Sequence, residues 1–404
     1  LSSPELVKSL KKGLYESGAD IIDIGLGPSP MLYFAANLLH SDGAIMVTGS
    51  HNPPQHNGFK IMKGKVPFFG NDILDIGERG IKGEWDYSDG SKLDYFIDDK
   101  YINILLESLK LNKLNKDLKV AWDPGNGAAG AIIKKLVKLL PGEHTLINSE
   151  IDGLFPSHHP DPTDPENLKE IINLVRKQEL DVGLAFDGDG DRLGVVSSTG
   201  RIVWGDQLLA FLSKEVLRNM PNSSIIADVK ASQNLFNEIE KNGGVPVMWK
   251  TGHSFIKSKM KEISSPLAGE MSGHIFFADR YLGYDDGIYA ALRVLELIED
   301  RYTLDNFLDS LPKSFSTQEI KIECSDDKKF NIIKELANIL DSENIKVNKV
   351  DGLRVQKDDG WWLLRASNTQ AVLVARVEAK SKSSLNNLQK ELNSYLNKFN
   401  LSLS

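Results

Sequence analysis

Apolar positions along the chain follow two rhythms. Leu6, Val7, Leu10 and Leu14 recur at helical spacing until Gly18, with Ser2 or Ser3 as a cap and Pro4 in the first turn, so an opening helix is predicted. Unbroken apolar runs at Ile21–Ile24 and Ala44–Val47 then read as buried strands, with a helical segment near Leu32–Leu39 between them. A polar, acidic stretch from Asp86 to Lys100 closes this first unit. A second unit runs from the strand Leu118–Asp123 through a helix after Gly130 to the strand Val182–Phe186. A third runs from Ile225–Asp228 through helices to Leu267–Phe277 and a helix near Asp286–Leu297. Strand–helix alternation in each predicts parallel or mixed sheets covered by helices.

The C-terminal part reads differently. A strand at 316–323 and a helix at 328–340 precede apolar runs at 347–355, 361–366 and 371–379 and an amphipathic helix. That pattern predicts a separate α+β domain with an antiparallel sheet. The expected fold class is therefore α/β: three similar mixed-sheet domains at 1–96, 97–201 and 202–313, then an α+β domain at 314–404. Because α/β domains usually open on a strand, the helical start predicts a first domain lacking its natural N-terminus.

Composition narrows the partners. The 404 residues are 41% hydrophobic and call for several domains of about 100 residues each. A net charge of −8 argues against a nucleic-acid partner but leaves local Lys and Arg free to hold a phosphate. The single cysteine, Cys324, excludes an internal disulfide and fits a reducing, cytoplasmic setting. No apolar run has membrane-spanning length, the first residues lack a signal-peptide core, and nothing calls for an obligate protein partner.

Four motifs carry chemistry. Asp187-Gly188-Asp189-Gly190-Asp191-Arg192 follows an apolar strand, and its alternating glycines let the backbone curl until the carboxylates converge on one hard cation. Oxygen-only ligands favour magnesium or calcium over zinc. An EF-hand is excluded, because its sixth position, normally Gly, is Arg192 and its twelfth, normally Glu, is Ser198. Thr48-Gly49-Ser50-His51-Asn52-Pro53-Pro54 sets an exposed serine beyond a strand end, as a nucleophile, a phosphate carrier or a plain polar turn. It is not a GxSxG elbow, and His51 is not expected to serve Ser50 as a base, since adjacent side chains tend to diverge. In extended backbone Glu270, Ser272 and His274 would share one face, suited to sugar hydroxyls, or a solvated edge. Arg365-Ala366-Ser367-Asn368-Thr369 at a strand end offers a guanidinium and amide donors to a phosphate, or a capped turn.

The strings TGSHNPPQHNGFK, AFDGDGDRLG, GEMSGHIFF and RASNT, in this order over the whole chain, resemble the α-D-phosphohexomutase family and, within it, the bacterial phosphomannomutase/phosphoglucomutase branch. Phosphoglucosamine mutases typically carry a Gly-Thr-Glu-Pro type loop where this chain has Asn368-Thr369-Gln370-Ala371. The resemblance implies four domains around a central cleft, each giving one motif. It implies a phosphorylated Ser50 and a Mg²⁺ held by Asp187, Asp189, Asp191 and a phosphoserine oxygen. Lys60 and His274 match proton-transfer positions, and Arg192 would neutralise developing charge. Glu270 and Ser272 would bind sugar hydroxyls, with Lys230 and His253 as further substrate contacts. Arg365, Ser367, Asn368 and Thr369 would grip the non-reacting phosphate. The implied activity moves a phosphoryl group between O1 and O6 of mannose or glucose phosphates through a hexose 1,6-bisphosphate. Family members also carry a further strand and an arginine loop ahead of the position of Leu1.

Other signals compete. Gly125-Asn126-Gly127-Ala128-Ala129-Gly130 fits GxGxxG after a strand, with Glu150 and Asp152 near ribose-carboxylate distance, so an NAD-dependent oxidoreductase is the alternative. It leaves the other motifs unexplained. His158-His159 lacks nearby cysteines and reads as structural. Asp285-Asp286 reads as a helix N-cap.

Overall fold

The computed structural model describes residues 1–53, 55–83, 87–110, 114–368 and 370–403. Pro54, Asp86 and Thr369, all named in the sequence reading, lie outside them. Among the described residues no helix is long and apolar enough to cross a membrane.

The first unit holds α1 (Ser3–Glu16), β1 (Ile21–Asp23), α2 (Ser29–Leu38), β2 (Gly43–Val47), β3 (Phe59–Lys63), β4 (Val66–Phe68), α3 (Asn71–Lys82) and β5 (Lys92–Asp94). The predicted single sheet is instead two: β1 pairs β5 in parallel, while β2, β3 and β4 form an antiparallel meander. The predicted serine cap of α1 is also corrected. Ser2 sits at the cap with helical dihedrals and makes no capping bond; Asn57 Nδ2 donates to the hydroxyls of Ser2 and Ser3 instead.

The second unit holds α4 (Asp98–Glu107), β6 (Lys119–Asp123), α5 (Gly130–Leu136), β7 (Glu143–Leu146), α6 (Lys169–Lys177), β8 (Val182–Phe186), β9 (Leu193–Ser197) and β10 (Ile202–Val203). Its sheet runs β10-β9-β8-β6-β7, with β7, β6 and β8 parallel and β9 turned back against β8. The strand period of two sorts the side chains. Val182, Leu184, Phe186, Val120 and Trp122 face a core shared with α5, and Ala121, Ala185 and Val196 face Ile171 and Val175 of α6. That is why these strands read as continuous apolar runs.

The third unit repeats this layout with α7 (Gly205–Asn219), β11 (Ser224–Asp228), α8 (Gln233–Lys241), β12 (Val245–Trp249), α9 (His253–Ile263), β13 (Leu267–Gly269), β14 (Ile275–Phe277), α10 (Gly287–Leu295) and α11 (Thr303–Ser310). Its order, β12-β11-β13-β14 with the last pair antiparallel, matches β7-β6-β8-β9 strand for strand. The run predicted as one strand over Leu267–Phe277 is a hairpin, turned at 270–274.

The last unit holds β15 (Phe315–Ser316), β16 (Ile320–Glu323), α12 (Asp326–Ser342), β17 (Val347–Asn348), β18 (Leu353–Lys357), β19 (Gly360–Ala366), β20 (Val372–Ala379) and α13 (Lys382–Asn397). Its strands are all antiparallel, as expected, although the strands predicted at 316–323 and 347–355 are each broken in two. On β19, Trp362 and Leu364 pack against Leu336, Leu340, Leu388 and Leu392 of α12 and α13. Trp361 and Leu363 face the other way and pack against Val229 of the third unit. Arg354 lies 3.7 Å over the Trp361 ring and donates to the Val229 and Ala231 carbonyls, tying the two units together. Arg365 shares the parity of Trp361 and Leu363, so the same alternation turns it toward the third unit.

One rule unites the motifs. Each sits in the turn between a strand and its antiparallel successor: Ser50 between β2 and β3, Asp187–Arg192 between β8 and β9, Glu270–His274 between β13 and β14, and Ser367–Asn368 between β19 and β20.

Candidate active site

The Ser50 turn and the Asp187–Arg192 turn meet backbone to backbone. A Cβ on Gly188 would lie 2.2 Å from the Ser50 carbonyl oxygen, so only glycine permits the approach. Ser50 itself adopts the left-handed region with φ 49°, held by its N–H donating to Thr48 Oγ1 at 2.8 Å. That conformation, costly for a residue with a side chain, aims Oγ at Asp187 Oδ2, 2.7 Å away.

Asp187, Asp189 and Asp191 converge without exposure to solvent. Asp189 Oδ2 accepts from Ser29 Oγ at 2.6 Å, Thr48 Oγ1 at 3.1 Å and Lys60 Nζ at 2.6 Å. Lys60, projecting from β3, also bonds Asp191 Oδ2. Asp189 Oδ1 and Asp191 Oδ1 are buried and have no hydrogen-bond partner among the described residues. Burial and the two neighbouring carboxylates push Asp187 well above the usual carboxylate range. Burial also opposes the charge of Asp189, but the Lys60 ammonium outweighs it and holds that carboxyl low. Burial likewise opposes the Lys60 charge, and Asp189 and Asp191 outweigh it, so the ammonium stays protonated.

Arg192 closes the loop by donating its N–H to Asp187 Oδ1 at 3.1 Å. Its backbone bridges His274, and its Nε donates to His274 Nε2 at 3.1 Å, which joins the second and third units. The reading of His51 is corrected here. With Ser50 in the left-handed region the adjacent side chains converge, and His51 Nδ1 lies 3.0 Å from Ser50 Oγ. Burial and the nearby Arg192 guanidinium push the imidazole down to about 4, so it is neutral at pH 7.

The expectation that Glu270, Ser272 and His274 share an extended face is corrected too. Glu270 N–H donates to the His274 carbonyl and Gly273 N–H to the Glu270 carbonyl, so the segment is a tight turn. The turn still gathers the site: Glu270 Oε1 accepts from Gly252 N–H at 2.6 Å, at the head of α9, and His253 stacks on His274 with centroids 5.7 Å apart. Ser272 is half-buried in the same turn.

A second cluster lies where the third and last units meet. Arg365 Nε donates to Asp351 Oδ2 at 3.0 Å and Nη2 approaches Oδ1 at 3.4 Å. Thr251 N–H donates to the same Asp351 Oδ2 at 3.0 Å, and Thr251 Oγ1 to Asp228 Oδ2 at 3.3 Å. Lys230 Nζ donates to Glu319 Oε1 at 2.6 Å and lies 3.8 Å from Asp228. Burial, countered by Lys230 and reinforced by Glu270 and Glu319, pushes Asp228 up to about 7. Ser367 Oγ accepts from Gln370 N–H at 3.2 Å, and Asn368 is exposed beside it. Thr369 lies outside the described residues.

The pair Asp285-Asp286 was read as a helix N-cap, and Asp286 makes that cap by accepting from Tyr289 N–H at 2.9 Å. Asp285 instead turns inward to Lys257, His253 and His274. Its only signal in the sequence was its place after a strand. Asp228, Glu319 and Asp351 went unread as well, because single acidic residues carry no pattern until the fold sets them against Lys230 and Arg365.

The Gly125 loop does not present a dinucleotide site. Ala128 N–H donates to the Gly188 carbonyl at 2.9 Å, Asn126 N–H to Asn148 and Gly127 N–H to Pro124. A Cβ on Gly127 would lie 2.7 Å from the Gly188 carbonyl oxygen. The glycines serve packing beneath the carboxylate loop, and the N–H groups that would hold a pyrophosphate are used. His158 Nε2 lies 3.0 Å from Asp123 Oδ2, in the structural role expected.

Family models for phosphoglucomutase/phosphomannomutase match the chain along its length: α/β/α domain I at residues 1–79, domain II at 99–200, domain III at 204–315 and the C-terminal domain at 319–394. A phosphomannomutase/phosphoglucomutase of Pseudomonas aeruginosa is 44% identical over 390 residues, covering 96% of this chain and 84% of that protein. A crystal structure of a phosphoglucomutase/phosphomannomutase family protein from Burkholderia thailandensis superposes with a TM-score of 0.91 at 39% identity, covering 98% of this chain and 87% of that one. An N-acetylphosphoglucosamine mutase of Aspergillus fumigatus, solved with GlcNAc-6P and magnesium, shares the fold with a TM-score of 0.55 at 16% identity, over 74% of this chain and 70% of that one.

Proposed function

The chain belongs to the phosphoglucomutase/phosphomannomutase family and interconverts hexose 1- and 6-phosphates, and we propose that Ser50 is the phosphoryl carrier of that reaction. The observation that carries this reading is the contact of Ser50 Oγ with Asp187 Oδ2 at 2.7 Å, which sets a strained, half-buried serine on three converging carboxylates from another unit.

The donor set fits Mg²⁺. It is made of oxygens, and Asp189 Oδ1 and Asp191 Oδ1 accept no hydrogen bond among the described residues. Asp187, Asp189, Asp191 and an oxygen on Ser50 would hold the ion. Bound there, Mg²⁺ draws charge from the phosphoryl group in transfer. Lys60 and Arg192 bring fixed positive charge to the same point, and positioning with charge neutralisation is most of what phosphoryl transfer needs.

The reaction divides into two transfers. The substrate hydroxyl attacks the phosphorus on Ser50 and its O–P bond forms as the Ser50 Oγ–P bond breaks; His274 takes the hydroxyl proton and the Lys60 ammonium supplies one to the departing Ser50 Oγ, the two exchanging roles in the return transfer. The hexose 1,6-bisphosphate then turns over, and its other phosphoryl group returns to Ser50 Oγ. Glu270 and Ser272 in the β13–β14 turn, with His253 and Lys230, bind the sugar. Arg365, Ser367, Asn368 and Thr369 hold whichever phosphate is not reacting. The units divide at 1–96, 97–201, 202–313 and 314–404, around a cleft that these four turns line. The buried, unpaired Cys324 suits a cytoplasmic setting.

Intact-mass analysis of the purified protein tests the reading. One phosphate is expected on a fraction of the molecules, mapped to Ser50 and lost in Ser50→Ala. A phosphate mapped to another residue rejects it.

A further inference from the structure

The mechanism above gives Asp285 no task, yet it is among the most enclosed charges in the molecule. It has no solvent exposure. Its backbone bridges Phe276 on β14, and Phe276 is two residues beyond His274, so strand geometry brings Asp285 alongside that imidazole. Asp285 Oδ2 lies 3.2 Å from His274 Nδ1 and 3.3 Å from His253 Nδ1, while Oδ1 accepts from Lys257 Nζ at 2.8 Å. Lys257 is itself fixed over the Tyr33 ring, 4.2 Å from its centroid.

The two nitrogens of His274 therefore meet different partners. Nε2 accepts the Arg192 Nε–H at 3.1 Å and must be the lone-pair nitrogen. Nδ1 then carries the hydrogen, and it faces Asp285 Oδ2 at 3.2 Å and Asp191 Oδ1 at 3.5 Å. Asp191 is already committed to Lys60 and to the carboxylate cluster. Asp285 is left to the two imidazoles, His274 and His253, and to Lys257. Lys257 and Arg192 supply positive charge to this pocket.

We propose that Asp285 is the positioning residue of His274: it keeps the ring hydrogen on Nδ1 and fixes the ring plane, so that Nε2, which accepts from Arg192 Nε in the free protein, is the nitrogen that takes the proton once the substrate hydroxyl displaces that bond. The logic is that of a carboxylate behind a histidine base, which sets the tautomer and stabilises the imidazolium formed in the transition state. Nδ1 and Oδ2 are close but lack regular hydrogen-bond alignment here; such contacts commonly tighten only when substrate is bound. His253, stacked on His274 at an interplanar angle of 14°, shares the same carboxylate and braces the ring from one side.

The inference rests on the reading of His274 as the proton-transfer group, and two measurements separate the failures. Protein labelled with ¹⁵N-histidine reports the tautomer by long-range ¹H–¹⁵N correlation, with His274→Asn used to assign the signal. The expected result is a hydrogen on Nδ1 in the native protein and a shift toward Nε2–H or a mixture in Asp285→Asn. Steady-state kinetics should show kcat of Asp285→Asn lower by about a hundredfold or more, with KM for both phosphates within about twofold and partial recovery in Asp285→Glu. A native Nε2–H tautomer overturns the proposal, and this needs no variant that might fail to fold. Unchanged kcat in Asp285→Asn beside a slow His274→Asn, or a slow Asp285→Asn with an unshifted tautomer, overturns it as well. A shifted tautomer with neither variant slowed leaves Asp285 as the positioning residue and removes His274 from the reaction.

Discussion

The carboxylate turn between β8 and β9 and the Arg365 end of β19 occupy matching places in their sheets, yet they balance charge in opposite ways. In the first, three carboxylates are buried together around Lys60, burial and mutual repulsion push Asp187 up, and among the described residues two of their oxygens accept no hydrogen bond. In the second, the Arg365 guanidinium already leans on Asp351 with Nε and Nη2, and Asp351 is held in turn by Thr251 N–H. The carboxylate turn gains by taking up positive charge. The arginine end is nearly neutral as it stands and trades one anion against another. A site that does chemistry benefits from the first condition, because a transferring phosphoryl group arrives where charge compensation is concentrated. A site that must accept and release a phosphate during a single turnover benefits from the second, because a standing carboxylate keeps the grip from becoming too tight.

The largest effect should come from the carboxylate turn. Asp189→Asn removes a charge to which Lys60, Ser29 and Thr48 are all bonded. Loss of metal-based charge stabilisation worth about 4 kcal/mol corresponds to about a thousandfold in kcat. Chelation should reduce native turnover similarly, with recovery on adding Mg²⁺, while the chelated protein still binds substrate through Arg365. Full activity in excess chelator removes the metal from the comparison.

A smaller effect is expected at the arginine end. Arg365→Ala deletes the one strong cation of its turn, so KM should rise about tenfold or more for the 1-phosphate and the 6-phosphate alike, with kcat less affected. Steady-state kinetics in both directions reads the result. A loss confined to one direction means that Arg365 is not shared by the two orientations.

The two regions were also unequally legible. The carboxylate turn could be read because its function is local: the aspartates stand at alternate positions on glycine hinges directly after an apolar strand. The buried strands around it were legible for the same reason, since a run enclosed on both faces has no polar alternation. In units two and three the central strands β6, β8 and β11 and the helices α5 and α10 were legible, while the outer strands β7, β9, β10 and β12 were not named and the β13–β14 hairpin was hidden because both its strands are short and apolar and the turn between them is polar in period two. The partners of Arg365 and His274 were invisible. Asp351 lies in a loop and Asp285 next to a true helix cap, and each gains meaning only when tertiary packing brings it to a cation or an imidazole from elsewhere. The convergence of Ser50 and His51 likewise depends on a backbone conformation that residue preferences disfavour.

The smallest predicted effect probes the balance itself. Asp351 contacts the Nε side of the guanidinium, at 3.0 Å through Nε and 3.4 Å through Nη2, and makes no bond to Nη1. A phosphate can therefore meet the outer edge of Arg365 while Asp351 stays in place, attracted by the guanidinium and repelled by the carboxylate. Asp351→Asn keeps an oxygen to accept from Arg365 and Thr251 but removes the repulsion. Like charges separated by a few ångströms near a protein surface differ by about 1 kcal/mol or less once solvent screens them, so KM for both hexose phosphates should fall by about two- to threefold. Raising the salt concentration should narrow the difference between variant and native protein, because screening already does part of what the substitution does. A rise in KM would mean that Asp351 acts mainly to orient the guanidinium, and that the arginine end, like the carboxylate turn, is built for fixed geometry and not for exchange.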